Sequence, residues 1–213
     1  MLKAIFFDFD GVIVESAGIK TEAFRKLFSN YPDQVDEIVD YHKANAGISR
    51  YDKFDYIYEK ILKQELTKEK KDELGKKFSE LVLEEIKTCP FVLGAVDFLK
   101  KYSKKLDFFL LSATPDEELK YLVKYRKLDD YFKEVHGAPH KKSEIMANVL
   151  KNEKLENQET LFIGDTISDY KHSITSRVPF IGRILGQEDN PFPEDVKTVQ
   201  NFEEFGHLVE VML

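Results

Sequence analysis

Residues 3–11 read Lys-Ala-Ile-Phe-Phe-Asp-Phe-Asp-Gly, and the rest of the chain is interpreted outward from this stretch. The apolar run Ala4–Phe7 is too short for a helix core and predicts a strand buried on both faces, as inside a parallel sheet. Asp8 and Asp10 follow at its carboxyl end and point the same way in extended backbone, where two like charges need a cation to stay ionised together. Gly11 permits a sharp turn at the sheet edge where open α/β sheets bind ligands. A strand followed by an ordinary acidic turn is the alternative.

The composition is that of a globular protein with one good-sized domain, or with a domain that carries an insertion. The chain has 213 residues, of which 42% are hydrophobic and 33% are charged, and its net charge of -7 argues against a nucleic-acid or anionic-membrane partner. No apolar stretch reaches the roughly 18 residues of a membrane span. Because Cys89 is the single cysteine and the start lacks a signal-like pattern, we expect a cytoplasmic protein. We expect a monomer as the default oligomeric state.

Two kinds of pattern divide the chain. Residues 16–88 contain no convincing strand, whereas from Cys89 onward strands and helices alternate, which predicts a parallel sheet with helices on both faces. We therefore predict an α/β, Rossmann-like core over residues 1–15 and 89–213, with an all-helical insertion over residues 16–88. Three apolar stripes at helical spacing support that insertion: Ile19, Ala23, Phe24, Leu27 and Phe28; Tyr51, Phe54, Tyr58, Ile61 and Leu62; and Leu74, Phe78, Leu81, Val82 and Ile86.

The later strands and helices follow from short apolar runs and from helix-start signals. Thr114 followed by Pro115 and Glu117 predicts a helix capped by Thr114. The predicted strands are Leu106–Leu111, Phe132–His136, Thr160–Gly164, Val178–Gly182 and an edge strand at Val196–Val199. The predicted helices are Ala95–Tyr102, one from Pro115, Ser143–Leu150, Ser168–Ser176 and Phe202–Met212.

Three further strand ends carry polar side chains. Ser112 lies in a strand-to-helix turn, where its hydroxyl and free backbone amides suit a phosphate, although a turn serine is the plainer reading. Lys141 and Lys142 precede a helix and taken alone are ordinary solvated lysines. Asp165 emerges directly from a buried strand, and Asp169 lies four residues on, where it could also simply favour a helix N-terminus.

The acidic residues at these strand ends form an all-carboxylate set without cysteine or paired histidine. Oxygen ligands of this kind suit Mg²⁺. A carboxylate nucleophile, Mg²⁺, a hydroxyl and a lysine are the groups that phosphoryl transfer needs.

These motifs, in this order, resemble the four motifs of the haloacid dehalogenase superfamily, and the helical insertion resembles the cap that the family places after its first motif. The resemblance implies that Asp8 attacks phosphorus and that Asp10 protonates the leaving alcohol and then activates water. It implies that Asp8, Asp165, Asp169 and the backbone carbonyl of Asp10 hold Mg²⁺. It also implies that Ser112, Ala113 and Lys142 bind the phosphoryl oxygens, with Lys142 preferred to Lys141 because it directly precedes Ser143.

Within this superfamily the chain is similar to phosphoglycolate phosphatases, so we expect a phosphatase for a small phosphorylated metabolite. A sugar-phosphate mutase is the alternative, because Gly47-Ile48-Ser49-Arg50 resembles the Gly-Val-Ser-Arg of β-phosphoglucomutase, whose arginine binds the distal phosphate. By that analogy Arg50 contacts the substrate; a solvated helix-start arginine is the other reading.

Several departures from the mutase pattern favour hydrolysis. Lys20 stands where the mutase has histidine, and Glu15 replaces the usual aspartate at the end of the first motif. The Gly-Asp-x-x-x-Asp form of the fourth motif is also common among phosphatases. A non-catalytic phospho-acceptor or regulatory protein is a distant third reading. Lys20, Tyr41, Lys43 and Arg50 are the candidate specificity residues.

Overall fold

The computed structural model describes residues 1–184 and 190–213. Within these residues, six parallel strands form one sheet in the order β3-β2-β1-β4-β5-β6. The strands are β1 (Ala4–Phe7), β2 (Asp107–Pro115), β3 (Glu134–Ala138), β4 (Thr160–Gly164), β5 (Phe180–Arg183) and β6 (Thr198–Val199). The helices are α1 (Ala17–Leu27), α2 (Val35–Ala44), α3 (Arg50–Tyr56), α4 (Lys68–Thr88), α5 (Ala95–Tyr102), α6 (Asp116–Tyr125), α7 (Lys142–Glu153), α8 (Ile167–Ser176) and α9 (Phe202–Met212).

Strand β1 lies near the middle of the sheet because its side chains are apolar on both faces. Ile5 and Phe7 belong to one core cluster, which includes residues of α5, α6 and α9. Ala4 and Phe6 belong to the other, which includes residues of α7. All four side chains are fully buried, so burial on both faces fixes the position of the carboxylates that follow.

Helices α1 to α4 form the insertion between β1 and β2. Their core is aromatic: Phe24 packs against Phe28, Phe54 and Phe78 with ring centroids 4.9 to 6.2 Å apart. The predicted fold class is therefore confirmed, an α/β sheet flanked by helices with a helical cap inserted after its first strand. Among the described residues, no helix is both long and apolar enough to span a membrane.

Several predicted boundaries were wrong by a few residues. Strand β2 continues to Pro115 instead of ending at Leu111, and the third and fifth strands begin two residues later than predicted. The edge strand contains only Thr198 and Val199. Helix α2 was not recognised because it has only ten residues and buries just Ile38, Val39 and His42, too few for a clear apolar stripe.

The predicted capping role of Thr114 was also wrong. Helix α6 begins at Asp116, its N-cap is Pro115, and no side chain in the described part of the chain caps it. Thr114 remains in the strand, because the residue before a proline is sterically pushed toward extended backbone. Its hydroxyl is therefore directed to Asp10 instead.

Candidate active site

The turn after β1 brings Asp8 and Asp10 to the carboxyl edge of the sheet. Gly11 adopts a φ of +74°, a conformation that side-chain-bearing residues rarely adopt, and its amide donates to the Val14 carbonyl at 2.8 Å. A Cβ at this position would overlap the carboxylate of Asp165. The glycine therefore allows the first and fourth motifs to meet.

Asp8 is buried and bound on one of its two oxygens. Its Oδ1 accepts a hydrogen bond from the Phe9 amide at 2.7 Å and lies 2.8 Å from the Lys142 ammonium. Burial raises the pKa of Asp8 to about 7 even though Lys142 opposes the shift. Both described contacts use Oδ1, so Oδ2 is left for chemistry.

Lys142 is the lysine that enters the site. It is 3% exposed, and its Nζ bridges Asp8 and Oδ1 of Asp169 at 2.8 and 2.7 Å. Lys141 is exposed to solvent. The side chain of Lys142 is thus fixed by two carboxylates that come from different strand ends.

Asp10 has quite different partners. Its Oδ1 accepts from the Ser16 hydroxyl at 2.7 Å; its Oδ2 accepts from Thr114 at 3.0 Å and lies 2.5 Å from Lys20 Nζ. The Ser112 hydroxyl also donates to Oδ2, at 3.3 Å. Burial opposes ionisation of Asp10, but the Lys20 charge and these hydrogen bonds outweigh it, and the pKa of Asp10 is lowered.

Three carboxylates converge at this edge of the sheet. Asp8, Asp165 and Asp169 each offer an oxygen, and these oxygens all lie within 4.8 Å of one another. Burial and the charges of Asp8 and Asp169 raise the pKa of Asp165 well above its usual value. Oδ1 of Asp165 is buried and has no hydrogen-bond partner among residues 1–184 and 190–213. A divalent cation would satisfy that oxygen and favour the ionised carboxylates, so these residues fit the predicted Mg²⁺.

Asp169 also has a structural role. It is the third residue of α8 and forms a reciprocal capping box with Thr166, whose hydroxyl donates to Asp169 Oδ2 at 2.6 Å. Its remaining oxygen, Oδ1, contacts Lys142. The two readings of Asp169 from the sequence, as a site residue and as a helix-terminus residue, are therefore compatible.

A cavity of about 920 Å³ lies between this edge of the sheet and the helical cap. Ser112 and Ala113 line it from the core, and Arg50 lines it from the cap. The guanidinium of Arg50 is already bound, at 2.9 and 3.1 Å to the two carboxylate oxygens of Glu118 and at 2.7 Å to Ser79. Contact between Arg50 and a substrate therefore stays a prediction, and it requires the pair with Glu118 to rearrange.

Some site residues were missed in the sequence. Arg183, at the end of β5, donates to the Gly11 carbonyl at 2.6 Å and pairs with Glu15 at 2.6 Å, so it supports the turn of the first motif. His42 and Lys53 line the cavity from the cap. A buried arginine at a strand end gives no local sequence signal, whereas Thr114 could have been found from its position directly before a proline.

The chain matches a known protein family over most of its length. The family model for haloacid dehalogenase-like hydrolases matches residues 5–183. The chain belongs to that family. The match extends across the first strand, the helical cap and the fourth motif, so family membership does not rest on one motif.

Individual relatives of this haloacid dehalogenase-like chain are more distant. A "phosphorylated carbohydrates phosphatase" of Thermotoga maritima is 29% identical over 135 residues, which is 62% of this chain and 59% of that protein. The match thus spans well under two thirds of that relative.

Solved structures share the fold across nearly the whole chain. A β-phosphoglucomutase from Clostridium difficile has a TM-score of 0.76 at 21% identity and covers 100% of this chain and 97% of its own. A predicted phosphoglycolate phosphatase from Haemophilus somnus has a TM-score of 0.75 at 14% identity and covers 98% of both. At these identities the likeness concerns the fold alone.

Proposed function

We propose that this chain is a Mg²⁺-dependent phosphatase that hydrolyses a small phosphorylated metabolite through an aspartyl-phosphate on Asp8. The observation that carries the proposal is the arrangement at Asp8. Oδ1 of Asp8 is fixed by Lys142 and the Phe9 amide. Asp165 and Asp169 lie beside Asp8, and Oδ1 of Asp165 is buried without a hydrogen-bond partner among the described residues. The name of the Thermotoga relative supports a phosphorylated carbohydrate as the substrate class.

Asp8 and Asp10 divide the reaction between them. Asp8 Oδ2 attacks phosphorus, the bond to the leaving oxygen breaks, and Asp10, which must be protonated for this step, gives that oxygen its proton. Because the contact with Lys20 lowers the pKa of Asp10, this role requires that contact to rearrange first. Asp10 then takes a proton from water, the water oxygen attacks phosphorus, and the carboxylate of Asp8 is released. Lys20 and Thr114 hold the Asp10 carboxylate in place.

Other residues bind and neutralise the transferred group. Ser112 and the backbone at Ala113 contact phosphoryl oxygens. Lys142 holds the nucleophile in place, and Asp169 balances part of the positive charge of Lys142. Asp8, Asp165, Asp169 and the Asp10 carbonyl hold Mg²⁺, which when bound neutralises charge on the phosphoryl group and favours the ionised nucleophile. The cap, which we assign to residues 16–88, excludes water from the cavity.

The first experiment is a phosphate-release screen with phosphorylated sugars, glycolytic acids and nucleotides. We expect release from one metabolite class with Mg²⁺, no release after EDTA, and none from Asp8→Asn. Asp130→Asn, a change at an exposed surface position, is the matched control and should keep full activity. Retained turnover in Asp8→Asn would refute the assigned nucleophile.

The mutase alternative is tested in the same screen. β-Glucose 1-phosphate is included, and its products are resolved. Conversion to the 6-phosphate without net phosphate release would replace the phosphatase proposal with a sugar-phosphate mutase. Phosphorylated protein that never turns over would instead favour a phospho-acceptor.

A further inference from the structure

Lys53 is a buried lysine of α3 that lines the same cavity as Asp8 and Asp10 but has no part in the mechanism above. Only 3% of its surface is exposed. Its Nζ lies 3.0 Å from His42 Nδ1 and donates to the His42 carbonyl at 3.3 Å. Within residues 1–184 and 190–213, these are its hydrogen-bond acceptors, and neither is a carboxylate.

The other buried cations of the cavity differ from Lys53 in this respect. Arg50 is paired with Glu118 and Arg183 with Glu15, and the half-buried Lys20 is paired with Asp10. An ammonium taken out of water without a counter-charge is costly, and an anion that enters the cavity would remove that cost.

His42 can orient Lys53 but cannot neutralise it. Burial lowers the pKa of His42 to about 2, so the imidazole is neutral and its Nδ1 accepts from Lys53. The His42 ring stacks on the Phe24 ring with centroids 4.2 Å apart, and Lys53 Nζ lies 5.5 Å from the centre of the Phe24 ring. The lysine is therefore held in one place by an aromatic wall and a neutral acceptor.

Lys53 also has hydrogen-bonding capacity left. An ammonium carries three N–H donors, and the two acceptors on His42 account for two of them. A negatively charged oxygen on a ligand would take the third and supply the counter-charge.

We propose that Lys53, oriented by His42, binds a second acidic group of the substrate, a carboxylate or a phosphate, at the cap side of the cavity. This inference rests on the proposed function, because it places the reacting phosphoryl group at Asp8. It assigns to Lys53 the contact that sequence resemblance assigned to Arg50, whose charge Glu118 already balances.

The test uses three matched phosphate esters: propyl phosphate, 2-carboxyethyl phosphate and propane-1,3-diyl bisphosphate. For the wild-type protein we expect kcat/KM to be at least about tenfold higher for an ester with a second acidic group, as befits a hydrogen bond to a charged partner. The ester with the higher kcat/KM identifies the acidic group that the site prefers, the carboxylate or the second phosphate. A ratio near one for both would overturn the proposal without any variant.

Substitution then assigns the effect to Lys53. Lys53→Met removes the charge and keeps the length, and it should raise KM about tenfold for the preferred acidic ester while leaving propyl phosphate unchanged. Lys60→Met, at an exposed cap lysine paired with Glu59, is the control and should change neither. Equal changes for all three esters in Lys53→Met would contradict the proposal.

A binding measurement separates this inference from the phosphatase proposal. If the wild-type protein hydrolyses none of the esters, calorimetry with 2-carboxyethyl phosphate, the bisphosphate and propyl phosphate decides. Tighter binding of an acidic ester that is lost in Lys53→Met would support the anion site although the phosphatase proposal had failed. Equal affinities would overturn the anion site.

Discussion

Two aspartates only two residues apart have opposite electrostatic environments. Burial raises the pKa of Asp8 to about 7, whereas Lys20 and the hydroxyl groups of Ser16 and Thr114 hold the pKa of Asp10 low. The proposed roles need the opposite protonation states during the reaction, an ionised Asp8, which a bound cation would favour, and a protonated Asp10. The alternation of side chains in extended backbone predicted that both would face the site, but not that each would have its own lysine.

Lys142 is the residue whose removal should affect the site most after Asp8. We expect Lys142→Met to lower kcat/KM about 100-fold or more, because it removes a fixed positive charge from the nucleophile and the phosphoryl group. Lys141→Met is the matched control and should behave as wild type, since Lys141 is exposed. Steady-state kinetics at saturating Mg²⁺ measure both. The reverse pattern would show that Lys141 enters the site.

Lys53 should leave a signature in the pH dependence of stability. Burial and the charge of Lys20 lower its pKa to about 7, below the 10.5 of an ordinary lysine. Between these values the unfolded chain binds more protons at this position, so this contribution to the free energy of unfolding rises with pH.

Denaturant unfolding from pH 7 to 10 tests this. The stability of the wild-type protein relative to Lys53→Met should increase across that range. The charged or titratable neighbours His42, Lys20 and Lys43 are present in both proteins, so their contributions largely cancel. A difference independent of pH would show that Lys53 has an ordinary pKa.

At the scale of elements, the turn after β1 determines whether the site can form. Gly11→Ala places a Cβ against the Asp165 carboxylate and strains a positive φ. We expect a much weaker response of activity to Mg²⁺, because the change displaces Asp165, a proposed Mg²⁺ ligand. Titration of activity with Mg²⁺ measures it.

Gly206→Ala is the control for that substitution. Gly206 lies inside α9, away from the cavity, and a Cβ there would meet only the Phe98 ring at an ordinary 3.8 Å, so the change should stabilise the protein by up to about 1 kcal/mol without affecting activity. A loss of activity in both variants, or in neither, would contradict the assigned role of Gly11.

The end of β2 shows which part of an element the sequence predicts. Its apolar residues indicated a buried strand, but the continuation to Pro115 and the contact of Thr114 with Asp10 are tertiary features. The Thr-Pro-x-Glu pattern matched a helix start, and the steric effect of proline on the preceding residue prevailed. Local motifs were therefore sufficient for the positions of the acids, and insufficient for the hydroxyl groups that hold them.

At the scale of the molecule, Arg50 and Glu118 join the cap to the core. They are 68 residues apart in sequence and nearly buried, so no local pattern could have paired them. The same holds for the cavity lining at His42 and Lys53, which depends on how four cap helices pack. The acidic residues of the candidate site were predictable because each follows a buried strand, and parallel strands bring their carboxyl ends to one edge.

Glu118→Gln should test how much this contact stabilises the protein. Because it leaves a buried guanidinium without its counter-charge, we expect the free energy of unfolding to fall by about 3 kcal/mol. Glu59→Gln breaks the exposed pair with Lys60 and should lower the free energy of unfolding far less, because solvent screens an exposed ion pair. Denaturant unfolding of both variants provides the comparison, and equal losses would show that the pair contributes no more than a surface contact.

In the proposed reaction Asp8 becomes phosphorylated, and chemical trapping can detect the acyl phosphate. The protein is mixed with a phosphate ester that it hydrolyses, and the reaction is quenched in acid within one turnover. The quenched protein is reduced with borohydride and analysed by peptide mass spectrometry. An acyl phosphate on Asp8 would be reduced to homoserine at position 8, and we expect that product there and at neither Asp10 nor Asp165. Turnover with homoserine at another position, or at none, would contradict the account.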